Sequence, residues 1–214
     1  MPTPTPVFPL QNIQPYVSLV KDIVTGLAAL IAAVVAIVGL QAWRKQLKGK
    51  TEYELAQRLL KSLYEVREAI SLVRHPMISE SEQRQAFKTV NLESNLFDPI
   101  SPLADQIVYE ARWMKLNEAI AKLDANILEA EVLWGQEVKE QLKPLRNCIW
   151  MLSLNTRRRL NKSRNIHTYD EKINKEIEDT MDAYSIDSED NTFSESLLKA
   201  IHQVENFIKP HLTP

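Results

Sequence analysis

Glycine and cysteine are scarce in this 214-residue chain, which contains four glycines and one cysteine, Cys148. Phosphate-cradling loops and doubly wound nucleotide-binding folds need several glycines at fixed spacing, so most cofactor-dependent enzyme folds are disfavoured. One cysteine forms neither an internal disulfide nor a cysteine-based zinc cluster. An excess of one charge is also lacking: 26 basic side chains stand against 28 acidic ones, and the net charge of −2 points to no particular partner.

Sequence motifs for catalysis, metals and cofactors are equally lacking. The four histidines, which are not placed at metal-ligand spacing, are His75, His167, His202 and His211. The sequence also lacks a G-x-S-x-G nucleophile motif. Cys148 lies in a segment with helical apolar spacing, where a buried structural thiol is the expected role. The sequence therefore predicts no catalytic residue, no cofactor and no metal site.

One long apolar run is present, near the N-terminus. Residues 23–40 contain no charge and no proline, and as an α-helix they rise roughly 27 Å, close to a hydrocarbon thickness of about 30 Å. A cleaved signal peptide fits less well, because a positive n-region is missing and the run is long. We predict a proline-rich external tail at residues 1–16, a transmembrane helix at 17–43 and a cytoplasmic helical domain at 44–214.

Positive charge lies on one side of this run. Lys21 is the one basic residue before it, whereas four cations follow closely: Arg44, Lys45, Lys48 and Lys50. Trp43 stands where an interfacial aromatic residue is expected. The positive-inside rule therefore predicts that the N-terminus lies outside and that the larger C-terminal part is cytoplasmic.

Small residues recur on one face of the predicted transmembrane helix: Ala28, Ala32, Ala36 and Gly39. Small residues at this spacing let two helices approach closely in lipid, so they form a candidate packing face for self-association. Alanine is also simply a good helix former. Both interpretations remain open from the sequence.

The cytoplasmic part has apolar residues at helical spacing throughout. The clearest seam alternates steps of four and three, as in coiled coils: Tyr109, Trp113, Leu116, Ile120, Leu123, Ile127, Ala130 and Trp134. Similar faces occur within residues 51–74, 136–152 and 193–208, and weaker patterns indicate helices near 80–90 and 169–183. Pro99 and Pro102 indicate a loop. Strand patterns are absent, so the predicted fold is all-α: an N-terminal transmembrane helix followed by an antiparallel cytoplasmic helical bundle.

The most distinctive charged feature is a basic cluster of five residues: Arg157, Arg158, Arg159, Lys162 and Arg164. Such a cluster could contact the phosphates of a nucleotide or of RNA. Aromatic residues are not interleaved with it, which disfavours nucleic acid as a partner. The acidic segment 170–190 offers a second interpretation, in which the cations pair within the chain.

One enzyme class is weighed against the sequence, and one resemblance bears on location. HEPN-type ribonucleases pair an arginine with a following histidine, but the spacing is matched neither by Arg159 and His167 nor by Arg164 and His167. Two segments, QAWRKQLKGKTEYELA at 41–56 and EAEVLWGQEV at 129–138, resemble a group of uncharacterised bacterial single-pass membrane proteins with an N-terminal anchor and a cytoplasmic helical domain. That resemblance implies a bacterial inner-membrane location and no particular activity.

The sequence thus predicts a membrane-anchored helical interaction or scaffold protein that binds protein partners or itself at the cytoplasmic face. The alternative is a membrane-tethered sensor or nuclease-like module that binds a phosphorylated ligand through the basic cluster. In either case, the segment 75–105 and the basic cluster are expected to share the end of the bundle farthest from the membrane.

Overall fold

The computed structural model describes residues 14–89, 102–164, 166–182 and 191–212. It contains α1 (Gln14–Arg74), α2 (Glu80–Thr89), α3 (Pro102–Trp134), α4 (Glu137–Ser163), α5 (Glu171–Met181) and α6 (Thr192–Ile208), followed by a 3₁₀ turn at Lys209–Leu212. Within these ranges all regular structure is helical. The predicted all-α class, with a long apolar helix near the N-terminus, is therefore confirmed.

The chain divides into two compact units, residues 1–50 and 51–214, which are described separately. The first holds the apolar part of α1, whose most hydrophobic stretch has a mean hydropathy of 2.7 and no buried residue. By length and composition this helix is able to span a membrane. Residues 1–13 of the predicted tail lie outside the described residues, and Gln14 already belongs to α1.

The second unit is built around one apolar core, to which the part of α1 after residue 50, α3, α4, α5 and α6 all contribute. The predicted inward face of that part of α1 is fully buried: Leu55, Leu59, Leu63, Val66, Ile70 and Val73. The inward seam of α3 is confirmed too, with Trp113, Ile120 and Trp134 only partly buried. A smaller cluster joins Phe87 of α2 to Val108 of α3.

Four helix ends have clear local causes. Pro102, predicted as part of a loop, is instead the first residue of α3, a position where proline is favoured because the missing N–H would have no helical partner. Gly135 adopts a φ of 83° directly after α3, a left-handed conformation that suits glycine. Asp170 and Asn191 accept hydrogen bonds from the backbone N–H groups of Ile173 and Ser194, which caps α5 and α6.

Pro144 lies inside α4, which continues through the proline. Position 144 is in the second turn after the start at Glu137, where a proline costs a backbone hydrogen bond. Leu142 and Leu145 on either side of it are buried in the core. Packing of these neighbours compensates for the lost backbone interaction.

Candidate interaction surface and basic cluster

The basic cluster does not form a single surface. Arg158 turns toward α5, where its Nη1 donates to Asn155 Oδ1 at 3.1 Å and to Glu176 Oε1 at 3.3 Å. Lys162 Nζ donates to Asn174 Oδ1 at 2.8 Å. Arg158 thus pairs with a carboxylate of the segment 170–190, as the internal-pairing interpretation expects, whereas Lys162 contacts the neutral amide of Asn174. Residues 183–190 of that segment lie outside the described residues.

Two further members of the cluster lie near the start of α3. Arg164 Nη1 donates to Gln106 Oε1 at 3.3 Å. Burial raises the pKa of Asp105, and the nearby positive charge of Arg159 opposes that rise. The end of α4 and the beginning of α3 are therefore neighbours, which brings the basic cluster next to the C-terminal boundary of the segment 75–105.

Arg157 is the most available cation of the cluster. It is exposed and makes no hydrogen bond or ion pair within the described part of the chain. It lines a cavity of about 480 Å³ between α3 and α4, together with Trp113, Ser153 and Leu160. Tyr109 also lines this cavity, and its buried hydroxyl has no hydrogen-bond partner among the described residues.

The outward side of α3 is unexpectedly apolar. Val132 is 84% exposed, Leu128 61% and Met114 60%, and the exposed Ala121 and Ala125 lie between them. Because these positions follow one another in steps of seven, four, three and four residues, they share one helix face opposite the buried seam. We call these five residues the outer α3 ridge. The sequence predicts only the inward seam as a contact face, although the same spacing rule applied to these positions would have found the ridge.

Beside this ridge runs a groove of about 960 Å³ between α1 and α3. We call it the α1–α3 groove. Its floor is apolar and its rim is charged; among the lining residues are Tyr53, Leu60, Lys61, Tyr64, Glu65, Glu68, Ala69, Leu72, Lys115, Glu118, Lys122 and Leu212. A floor and rim of this composition are typical of a surface that accepts a helix.

Polar contacts join α1 and α3 beside the groove, and of their residues Glu65 and Lys122 also line it. Arg58 Nη2 donates to both carboxylate oxygens of Glu129 at 2.7 Å, and Asn126 Nδ2 donates to Ser62 Oγ at 3.1 Å. Farther along, Lys122 Nζ lies 3.8 Å from a carboxylate oxygen of Glu65.

Two titrating groups of the groove are shifted. The Glu118 carboxylate, followed by Glu65, raises the pKa of Lys122. Burial, together with a hydrogen bond to Glu205, raises the pKa of Tyr64. At neutral pH the groove therefore presents a charged lysine and a neutral tyrosine.

The candidate transmembrane packing face lies on the exposed surface of α1 within the first unit: Ala28, Ala32, Ala36 and Gly39. Thr25, which continues this face, donates from Oγ1 to the Lys21 carbonyl oxygen at 2.8 Å. That bond satisfies the hydroxyl within its own helix. The face accordingly presents small groups and no free hydroxyl at that position.

Among the described residues, no three His, Cys, Asp or Glu side chains are grouped so that they could hold a metal ion. Cys148 is buried, and burial raises the pKa of its thiol although Arg74 opposes the shift. A buried neutral thiol of this kind acts as a small apolar side chain.

Comparison with known proteins adds no relative: no protein-family model, no curated protein and no solved structure matches this chain.

Proposed function

We propose that this chain is a single-pass membrane protein whose cytoplasmic helical domain is an interaction or scaffold module. The anchor is supported by the exposure of the large apolar side chains described in the first unit, none of which is buried. Every large apolar residue from Val17 to Leu47 is between about half and two-thirds exposed. Water is a poor solvent for such a surface, and lipid is the environment that accommodates a helix of this length.

The proposed orientation places the N-terminus outside and residues 44–214 in the cytoplasm, in a bacterial inner membrane. Its support is the excess of cations after the apolar run, from Arg44 to Lys50, over the single Lys21 before it. The proposed location in a bacterial membrane rests on the resemblance of the segments 41–56 and 129–138 to bacterial single-pass proteins.

We further propose that the cytoplasmic helices form an antiparallel bundle. Contacts between neighbouring helices support this arrangement, because residue numbers fall along one helix as they rise along the next. Between α1 and α3 the pairs are 58–129, 62–126 and 65–122. Between α3 and α4 they are 124–146 and 131–139, and between α4 and α5 they are 155–180 and 162–174.

The observation that carries the interaction role is that α3 is apolar on two opposite faces. One face lies in the core, and the other is the exposed outer α3 ridge with Met114, Leu128 and Val132. A helix that only covers a soluble core is expected to have a polar outer face. Exposed apolar residues aligned beside a groove are typical of a protein-binding surface.

Both parts of the proposal are tested in intact cells. After lysis without detergent, full-length protein should sediment with membranes and resist alkaline extraction; recovery in the supernatant would refute the anchor. A photo-crosslinking amino acid at Val132 should then yield protein adducts, whereas the same probe at exposed Lys199 on α6 should not. Equal labelling from both positions would refute the ridge as an interaction surface.

A second candidate function is binding of a phosphorylated ligand near Arg157. Its support is that this exposed arginine has no polar partner in the described chain and lines the cavity beside Trp113. Detergent-solubilised full-length protein would then bind RNA or nucleotides in a salt-dependent manner, and Arg157→Ala would remove the binding. The matched control is Lys143→Ala, an exposed cation elsewhere on α4; equal loss in both variants would indicate only general charge attraction.

A further inference from the structure

We infer that the partner of the outer α3 ridge is the α1–α3 groove of a second copy of this chain, in a two-fold symmetric pair. The inference rests on the proposed function, because it names the partner of the interaction surface. It commits to self-association through the helical domain, which is independent of the packing face in the transmembrane helix.

Shape is the first argument. The ridge lies directly beside the groove, since Glu118 and Lys122, which line the groove, neighbour Ala121 and Ala125 of the ridge on the surface of α3. A two-fold axis parallel to α3 exchanges left and right on this surface. The ridge of each copy then faces the groove of the other, and one closed isologous contact covers both apolar features.

Register is the second argument. Within one copy, α1 and α3 are level at the pairs 58–129, 62–126 and 65–122. A two-fold axis parallel to these helices keeps every residue at the level of its counterpart, so the same register applies between the copies. Met114 of one copy is then level with Leu72 of the other, and Leu128 with Leu60.

Charge is the third argument. The groove is lined by three lysines and three glutamates: Lys61, Lys115, Lys122, Glu65, Glu68 and Glu118. A lining of balanced charge gives no preference for a strongly acidic or basic peptide, and the five residues of the ridge that faces it in the pair are uncharged. Glu118 and Lys122 lie where ridge and groove meet, closest to the axis. The two Glu118 side chains of the pair are level with each other, and each is neutralised by Lys122 of its own copy, whose Nζ lies 3.2 Å from a Glu118 carboxylate oxygen.

Area and confinement are the fourth argument. A ridge over residues 114–132 is roughly 27 Å long. Ridge and groove together are about two helix diameters wide, or roughly 22 Å, so the contact covers roughly 600 Å² of each copy. That is slightly below the area of about 800 Å² per partner in standard complexes. Tethering of both copies in one bilayer raises their effective concentration, which makes an interface of this size sufficient.

The first test uses full-length protein in phosphatidylethanolamine–phosphatidylglycerol vesicles. Glu118→Cys, near the axis, should form a disulfide-linked dimer under a mild oxidant. Lys199→Cys, equally exposed on α6, should give at least fivefold less dimer, and the unmodified chain with only buried Cys148 should give a baseline. Equal dimer from both engineered cysteines, or none from Glu118→Cys, would overturn the inference.

The second test asks whether the ridge drives the association. Leu128→Lys in the Glu118→Cys background should reduce the dimer at least fivefold, whereas Trp150→Lys, which places the same charge at an exposed apolar site on α4, should leave it unchanged. Both positions are exposed, so both variants should remain folded. Equal effects of the two substitutions, or none from Leu128→Lys, would overturn the inference.

The failure of this inference is distinguishable from failure of the proposed function. Protein that sediments with membranes, but whose Val132 probe gives adducts of a mass other than twice that of the chain, retains the interaction role and refutes the second copy as partner. Protein found free in the supernatant refutes the anchor, and with it the confinement on which the inferred pair depends.

Discussion

Arg112 of α3 and Glu82 of α2 form a double hydrogen-bonded ion pair, from Nε to Oε1 at 2.7 Å and from Nη2 to Oε2 at 2.8 Å. The arginine side chain is only 2% exposed. It also donates to the carbonyl oxygens of His75 and Met77, in the connection between α1 and α2. One buried guanidinium on α3 thus holds α2 and the connection that follows α1 at a single point.

Glu82→Gln is expected to destabilise the folded chain by about 1–3 kcal/mol, because the buried Arg112 loses its charged partner. Unfolding of the detergent-solubilised chain in guanidinium, followed by tryptophan fluorescence, measures this change. The matched control is Glu80→Gln on the same helix, which removes an exposed pair with Arg84. Glu80→Gln should lower the free energy of unfolding by less than about 0.5 kcal/mol. An equal decrease in both variants would contradict the structural role of Glu82.

The same pair makes stability depend on pH. The hydrogen bonds from Arg112 lower the pKa of Glu82 below its usual range. Its stabilising contribution is therefore complete above the ordinary glutamate pKa and is lost as pH falls through the lowered one. The stability difference between the unmodified chain and Glu82→Gln should shrink as the solution is acidified through that range. A difference that stays constant with pH would contradict this assignment.

Arg74, the last residue of α1, is a second buried arginine. Its guanidinium donates to the carbonyl oxygens of Thr180 at 2.8 Å and Asp182 at 2.6 Å, and to Ser194 Oγ at 2.9 Å. Burial lowers its pKa to about 10, with Asp182 opposing the change, so the group remains charged at neutral pH. It therefore fastens the end of α5 and the start of α6 to α1.

Arg74→Lys should destabilise the chain by about 2–4 kcal/mol, since a single ammonium does not reproduce these bonds in their fixed geometry. The control is Arg67→Lys, one to two turns earlier on the same helix, where the arginine is exposed and pairs with Glu68. Thermal unfolding of both variants in the same detergent measures the difference. Comparable midpoints would show that Arg74 is not a structural anchor.

The buried face of each long helix could be predicted from the sequence because a period near 3.6 residues determines which side meets the core. Leu63 of α1, Leu123 of α3 and Leu152 of α4 are examples, all buried as expected. The burial of Arg74 and Arg112 could not be predicted by that rule. A cation near a helix end or next to a seam is usually solvated, and the carbonyl groups that hold Arg74 come from residues about 100 positions away in sequence.

The basic cluster is the opposite case: it is obvious in the sequence but does not form one surface in the structure. Consecutive cations on a helix are separated by about 100° each, so a cluster in sequence disperses around the helix in space. Arg158 faces Glu176, Arg164 reaches Gln106 and Arg157 lines a cavity. Sequence alone identified the charges, but the positions of α3 and α5 decided which of them are engaged.

The two faces of α3 predict two opposite results for leucine substitutions. Leu123→Ala on the core side should cost about 2–5 kcal/mol, because it leaves a cavity among packed side chains. Leu128→Ala, five residues later on the outer α3 ridge, should change the stability of the monomer by less than about 0.5 kcal/mol. Measurement at low protein concentration in excess detergent keeps self-association out of the comparison. A large cost for Leu128→Ala would mean that the ridge belongs to the core.

The C-terminal turn is expected to stabilise the end of α3 through one aromatic contact. The His211 and Trp134 rings stack with centroids 4.0 Å apart and an interplanar angle of 15°, and Phe207 meets Trp134 edge-on at 6.2 Å. His211→Ala should therefore cost about 0.5–1.5 kcal/mol and alter the tryptophan emission of the folded chain. His202→Ala, at an exposed position of α6, should change neither. Unchanged emission in His211→Ala would contradict the stack, and with it the role of residues 209–212 in fastening the C-terminus to α3.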